Sequence, residues 1–193
     1  EELDASVLNR IPVRSNFDDR YFGDTHQALP KFGYTKLFEK ILDHPNITVQ
    51  LNTDFFDVRK DLKNVEKLFY TGPIDRFFDF KFSLEKKLEY RSIHFVHETY
   101  EKEFYQETGV INYPNEHAYT RIVEYKHITG QKHPKTTIVK EYTTDDGEPY
   151  YPVPNPVNRA VYEQYQKEAE KLTDVHFVGR LANYKYFNMD EAF

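Results

Sequence analysis

Arginine and tyrosine recur where this chain enters or leaves its elements: Arg10, Tyr21, Arg91, Arg121, Tyr151, Arg180, Tyr184 and Tyr186. A guanidinium is always charged and presents a planar fork of donors that matches the edge of a phosphate. Tyrosine adds a flat apolar face with a hydroxyl at its rim, the combination that grips a sugar or a nucleotide base. Such a set suits one anionic ligand, a diphosphate for example. The same residues also serve as surface ion pairs and packing, and residue type alone leaves both readings open.

Other chemistries find less support. None of the seven glycines stands in a G-x-G-x-x-G fingerprint or a Walker-type loop, so the chain by itself carries no usual dinucleotide cradle. With no cysteine, disulfides and thiolate metal sites are excluded, which favours a reducing cytoplasm. His94 and His97 are three apart in an expected strand, where that spacing turns them to opposite faces, and no metal site is expected. No Ser-His-Asp or Gly-x-Ser-x-Gly arrangement occurs.

The chain is long enough, at 193 residues, to bury a core without staples. Its 39% hydrophobic and 17% aromatic content argues for a packed fold rather than a disordered one. The net charge of -6 disfavours nonspecific nucleic-acid binding while leaving room for a local arginine pocket. No apolar run approaches the ~20 residues of a membrane span, and nothing resembles a secretion signal.

The elements that must position these residues are legible in outline. Residues 1–8 read as the middle of an amphipathic helix, from which a fragment of a longer protein is expected. RIPVR at 10–14 is a loop carrying two arginines. Leu37, Phe38, Ile41 and Leu42 give residues 30–42 one apolar helical face. Strands are expected at 47–51 and 65–70. From residue 77 to about 142 the β-branched and aromatic runs at 91–96, 110–113, 120–125 and 136–142 favour a mostly antiparallel sheet. A turn at 145–149 and prolines 152, 154 and 156 precede a helix over about 159–172, and 175–178 reads as a strand that rejoins an α/β layer. The class is α+β: a mixed or antiparallel sheet flanked by helices, with α/β margins.

Nine segments in one order carry a family resemblance: RIPVR (10–14), DRYF (19–22), LPKFGYT (29–35), YTGPID (70–75), YRS (90–92), TRI (120–122), PYYPV (149–153), VGRL (178–181) and YKYFNMD (184–190). Over essentially its whole length the chain resembles bacterial UDP-galactopyranose mutases. The resemblance implies the carboxy-terminal part of a flavoprotein whose Gly-rich FAD loop lies upstream. The expected divisions are 1–45, the end of a helical insert with a mobile loop and a helix; 46–75, partial FAD-layer strands; 76–155, the sheet domain, six-stranded in that family; and 156–193, a returning helix and FAD-layer strand.

By the same resemblance, Arg10 on the mobile loop and Arg121 opposite it are the catalytic pair that closes on the substrate diphosphate. Tyr21, Tyr151 and Tyr186 are expected to meet the same phosphates and Asn112 the substrate pocket. Arg91, Gly179, Arg180, Phe187, Asn188, Met189 and Asp190 would face the flavin, residues 187–190 opening a helix. Asn188 stands where some relatives carry aspartate, so a hydrogen-bonding role is expected of it rather than acid–base work. The implied reaction interconverts UDP-galactopyranose and UDP-galactofuranose through attack of reduced FAD N5 on the anomeric carbon, in a cytoplasmic enzyme that forms a homodimer at full length. This stretch alone is expected to be inactive and to retain no FAD. The alternatives are an amine-oxidase-like flavin oxidoreductase, which needs no arginine pair, and a noncatalytic sugar-nucleotide-binding module.

Overall fold

The apolar spacing of Leu37, Phe38 and Ile41 yields a helix, α1 (Gly33–Leu42), in the computed structural model, which describes residues 13–18, 20, 22–82, 87–189 and 191–192. The chain divides into two compact units, one reaching Glu66 and the other running on from Lys67. In the first unit α1 is followed by α2 (Phe55–Val58), whose start is capped by the Asp54 carboxylate accepting the Phe56 N–H, and by a 3-10 turn (Asp61–Asn64). The strand expected at 47–51 does not form. A strand exists through its ladder, no strand of this unit pairs with that stretch among the described residues, and Leu51 stays 78% exposed.

The second unit contains two sheets. β1 (Leu68–Tyr70) is shorter than the expected 65–70 strand, and it leads through the TGP turn into α3 (Ile74–Phe77). The curled sheet follows: β2 (Tyr90–Tyr100), β3 (Val110–Asn112), β4 (Arg121–Glu124), the short helix α4 (Tyr125–Thr129), β5 (Thr136–Thr144) and β6 (Tyr151–Pro152). Its order is β3-β4-β5-β2-β6 and every pairing is antiparallel. Five strands, not six, make up this sheet among the described residues. Gly130 closes α4 at φ 67, a left-handed geometry that costs glycine nothing.

Helix α5 (Pro156–Ala169) begins earlier than its apolar pattern suggests, because Asn155 and Pro156 make a strong start signal. The Asn155 side chain accepts the Asn158 N–H at 2.8 Å, and Pro156 occupies a position where no amide is needed. β7 (Val175–Phe177) then pairs in parallel with β1, Leu68 against Val175, and α6 (Gly179–Ala182) follows. The pairing bears out the return of the late strand to the early layer.

The core joins the two sheets. Ile74, Leu88, Tyr165 and Tyr184 are buried together, with Phe78, Phe82 and Phe177 packed against them. Burying a large apolar side chain of this kind contributes roughly 1.5–3 kcal/mol. The Tyr165 hydroxyl is satisfied by the Phe82 N–H at 3.1 Å, so α5 is fixed to the segment after α3. At the far end of the sheet, the buried Glu124 carboxylate accepts the Tyr105 and Gln106 amides and the Thr136 hydroxyl. Burial would raise its pKa, but those hydrogen bonds outweigh it and hold the group below the usual glutamate value. The result anchors the end of β4, three residues beyond Arg121.

Candidate functional site

The register of three strands assembles the first half of the site. β4 carries Arg121 opposite Asn112 of β3 on one side and Glu141 of β5 on the other. Cross-strand partners share a sheet face, so their side chains meet. Arg121 donates from Nε to Asn112 Oδ1 at 2.9 Å, and its Nη1 lies 3.4 Å from Glu141 Oε2. The arginine side chain keeps 43% of its exposure while Glu141 keeps 12%. Asn112 and Glu141 therefore hold the guanidinium in place and leave it reachable from solvent.

The same row continues to Phe95, which stands opposite Glu141. Four residues back along β2, strand alternation returns Arg91 to that face, and Arg91 stands opposite Tyr151 of β6. Its neighbour Tyr90 packs edge-on against Tyr184 in the core at 5.4 Å, and strand alternation turns Arg91 to the opposite face. Asn112, Arg121, Glu141, Phe95, Arg91 and Tyr151 thus line one face of the sheet from β3 to β6.

A second cluster closes the β6 end. The Tyr151 ring stacks on Tyr186 at 5.9 Å, and the Arg180 guanidinium lies 5.7 Å over the Tyr151 ring. Arg180 also donates from Nε to the Phe187 carbonyl at 2.7 Å, which ties the start of α6 to the segment after Tyr186. Gly179, at φ 84, has no atom within 4 Å of the position a β-carbon would take. Its backbone is open to close approach, and any other residue there would be strained.

Residues 187–190 were expected to open a helix. A single helical turn forms there, the Ala192 N–H donating to the Asn188 carbonyl at 3.2 Å, with no longer helix assigned among the described residues. The Glu191 carboxylate accepts the Asn188 N–H at 2.8 Å, the reach-back that starts such a turn, and Met189 is 65% exposed. Arg10, Tyr21 and Asp190 lie outside the described residues. The described site residues thus form two groups: Asn112 with Arg121, and Tyr151 with Tyr186, Arg180 and Phe187, with Arg91 opposite Tyr151.

Two residues that sequence reasoning left without a role belong to this geometry. Glu141 is one; only the β4–β5 register reveals that it meets Arg121. Tyr184 is the other. It is 6% exposed, and its hydroxyl reaches Glu89 O at 2.6 Å, Val153 O at 3.1 Å and the Val153 N–H at 3.2 Å. Burial pushes that hydroxyl well above the usual tyrosine pKa, the Val153 amide offsetting only part of the shift.

Beneath the site, Asp75 is 2% exposed and its carboxyl is raised by burial, although the Arg76 and Leu88 amides oppose the shift. Its charge also helps to raise the buried Tyr90 hydroxyl, behind the larger effect of burial itself. The Tyr90 hydroxyl lies beside the Asp75 carboxyl, which raises it further through hydrogen bonding, although it makes no hydrogen bond of ordinary geometry among the described residues.

Comparison with known proteins bears on this arrangement. The family model described as GLF: UDP-galactopyranose mutase matches residues 1–186. The chain is 40% identical over 195 residues to a probable UDP-galactopyranose mutase of Klebsiella pneumoniae, covering 98% of this chain and 49% of that protein. It is 37% identical over 204 residues to a dTDP-fucopyranose mutase of Escherichia coli, covering 98% and 52%. A UDP-galactopyranose mutase of Mycoplasma genitalium is 38% identical over 212 residues, covering 98% and 51%. The chain spans about half the length of the curated relatives it matches.

Proposed function

The chain belongs to the UDP-galactopyranose mutase family, and we propose that in the full-length protein its sheet face binds the sugar nucleotide during interconversion of UDP-galactopyranose and UDP-galactofuranose. The observation that carries this reading is Arg121, a solvent-reachable guanidinium gripped by Asn112 and Glu141 before any ligand arrives. A cation fixed in this way stabilises a departing diphosphate without reorganising at the moment of reaction. Arg10 is its proposed partner from across the cleft. The Tyr151 and Tyr186 hydroxyls, joined by Tyr21, are assigned to the same phosphates, and Arg91 to the flavin, at the end of the face where the sugar meets it.

The residues near α6 fit a flavin. The open backbone at Gly179 allows a planar group to approach closely, and the Arg180–Phe187 bond joins the start of α6 to the stretch after Tyr186. Gly179, Arg180, Phe187, Asn188 and Met189, with Asp190, would hold it there. When bound and reduced, FAD supplies the nucleophile for the anomeric carbon. The protein's own share is to orient the sugar, to neutralise the diphosphate and to exclude water, which matches a site rich in arginine and tyrosine. The parallel β1–β7 pair supports reading residues 46–75 and 156–193 as parts of an FAD layer, 76–155 as the substrate sheet and 1–45 as the insert, loop and helix. Family membership sets aside the amine-oxidase alternative.

The test is turnover by the full-length protein with reduced FAD, followed by chromatographic separation of the two ring forms. Conversion of UDP-galactofuranose to UDP-galactopyranose is expected. Conversion of dTDP-fucopyranose alone, the sugar named in the Escherichia coli relative, would overturn the substrate assignment.

A further inference from the structure

Tyr184 stands at a junction that no assigned site residue occupies. Its backbone is left-handed, φ 47, a conformation that costs a non-glycine residue about 1 kcal/mol or more and persists only where surroundings enforce it. Its ring is enclosed by Tyr90 on one side and Tyr162, stacked at 5.8 Å, on the other. Its hydroxyl spans Glu89, one residue before β2, and Val153, one residue after β6. Those two segments carry Arg91 and Tyr151. The tyrosine itself begins the stretch that carries Tyr186 and Phe187. One hydroxyl therefore joins all three backbone segments that converge at the β6 end of the site.

The strands at the junction have other bonds of their own. Val153 N–H also donates to Glu89 O at 3.1 Å, and Asn158 reaches from α5 to Val153 O at 2.8 Å and to the Glu89 carboxylate at 3.0 Å. These bonds hold β2, β6 and α5 together without Tyr184. None of them touches the 184–187 stretch. Removal of the hydroxyl should then leave the sheet folded while freeing Tyr186 to shift against Tyr151.

We propose that Tyr184 is a positioning residue of the sugar-nucleotide site, its hydroxyl setting the distance between Tyr186 on one segment and Tyr151 and Arg91 on the other two. The inference rests on the function proposed above. It is tested in the full-length, flavin-loaded protein with Tyr184→Phe, which keeps the ring and deletes only the hydroxyl. The expected result is a kcat/KM for the sugar nucleotide lowered roughly tenfold, the scale of one lost hydrogen bond to a strained segment, with far-UV circular dichroism unchanged. In a Tyr186→Phe background the same substitution should cost less than threefold, because the group it positions is already gone. Tyr90→Phe is the control: it deletes a hydroxyl from the neighbouring ring that faces Asp75 rather than the Glu89–Val153 junction, and its kcat/KM should match the parent.

Should Y184F fail to fold, Asn158→Ser loosens the same Glu89–Val153 junction from the α5 side, and its smaller loss should show the same dependence on Tyr186. Undiminished turnover in Y184F, or an equal loss with and without the Tyr186 hydroxyl, overturns the inference while the proposed function stands. A parent protein that interconverts no sugar nucleotide overturns the proposed function, and the inference with it.

Discussion

Arg121 shows how neighbouring strands can fix a single guanidinium while leaving it open to solvent. Asn112 fixes its Nε, and Glu141 sits close enough to share its charge while remaining more buried than the arginine. The carboxylate orients the guanidinium and also competes with any phosphate for it. An exposed or half-exposed pair of this kind contributes ~0.2–1 kcal/mol. Glu141→Gln keeps the shape and deletes the competing charge, so UDP should bind the full-length protein about two- to fivefold more tightly by calorimetry; weaker binding would mean that orientation matters more than competition. The arginines and tyrosines stand out by residue type as a set that suits an anionic ligand, while surface ion pairing and packing remain open to the same residues. Glu141 does not stand out, because a glutamate in an alternating strand reads as a solvated face until the register places it opposite Arg121.

At the scale of elements, what succeeded and what failed follow one physical rule. The runs at 91–96 and 136–142 are rich in β-branched and aromatic residues, and they form β2 and β5, each longer than its sequence pattern. Residues 47–51 alternate, yet no strand forms there, because alternation describes faces and not partners. The start of α5 lies earlier than the apolar pattern suggests for a related reason: a cap such as Asn155 acts through geometry that periodicity does not report. The junction of α3 with β2 offers a test of its own. Asp75 is buried there and its carboxyl is raised in the fold, so the folded state prefers the neutral acid. Its contribution is present in full below the ordinary aspartate value of about 3.9 and is lost as pH rises through the raised value. Asp75→Asn, neutral at every pH, should remove that dependence, and urea unfolding at neutral pH should show the variant at least as stable as the parent. A variant clearly less stable there would mean that the charged carboxylate is what the Arg76 and Leu88 amides require.

For the whole molecule, the sheet is the organising device. It gathers residues from 91 to 151 onto one face, and the core around Tyr184 fixes the segment from 184 to 187 at the edge of that face. Two strands, β1 and β7, pair in parallel as a second, two-stranded sheet among the described residues. The chain matches about half the length of the curated relatives. The central claim is that this face receives a diphosphate through Arg121, and calorimetric titration of UDP into the full-length protein, parent against Arg121→Ala, tests it most directly. Losing a charge-assisted hydrogen-bonding group of ~1.5–3 kcal/mol predicts affinity weaker by roughly 10- to 150-fold. An Arg121→Ala protein that binds UDP as tightly as its parent would contradict the account.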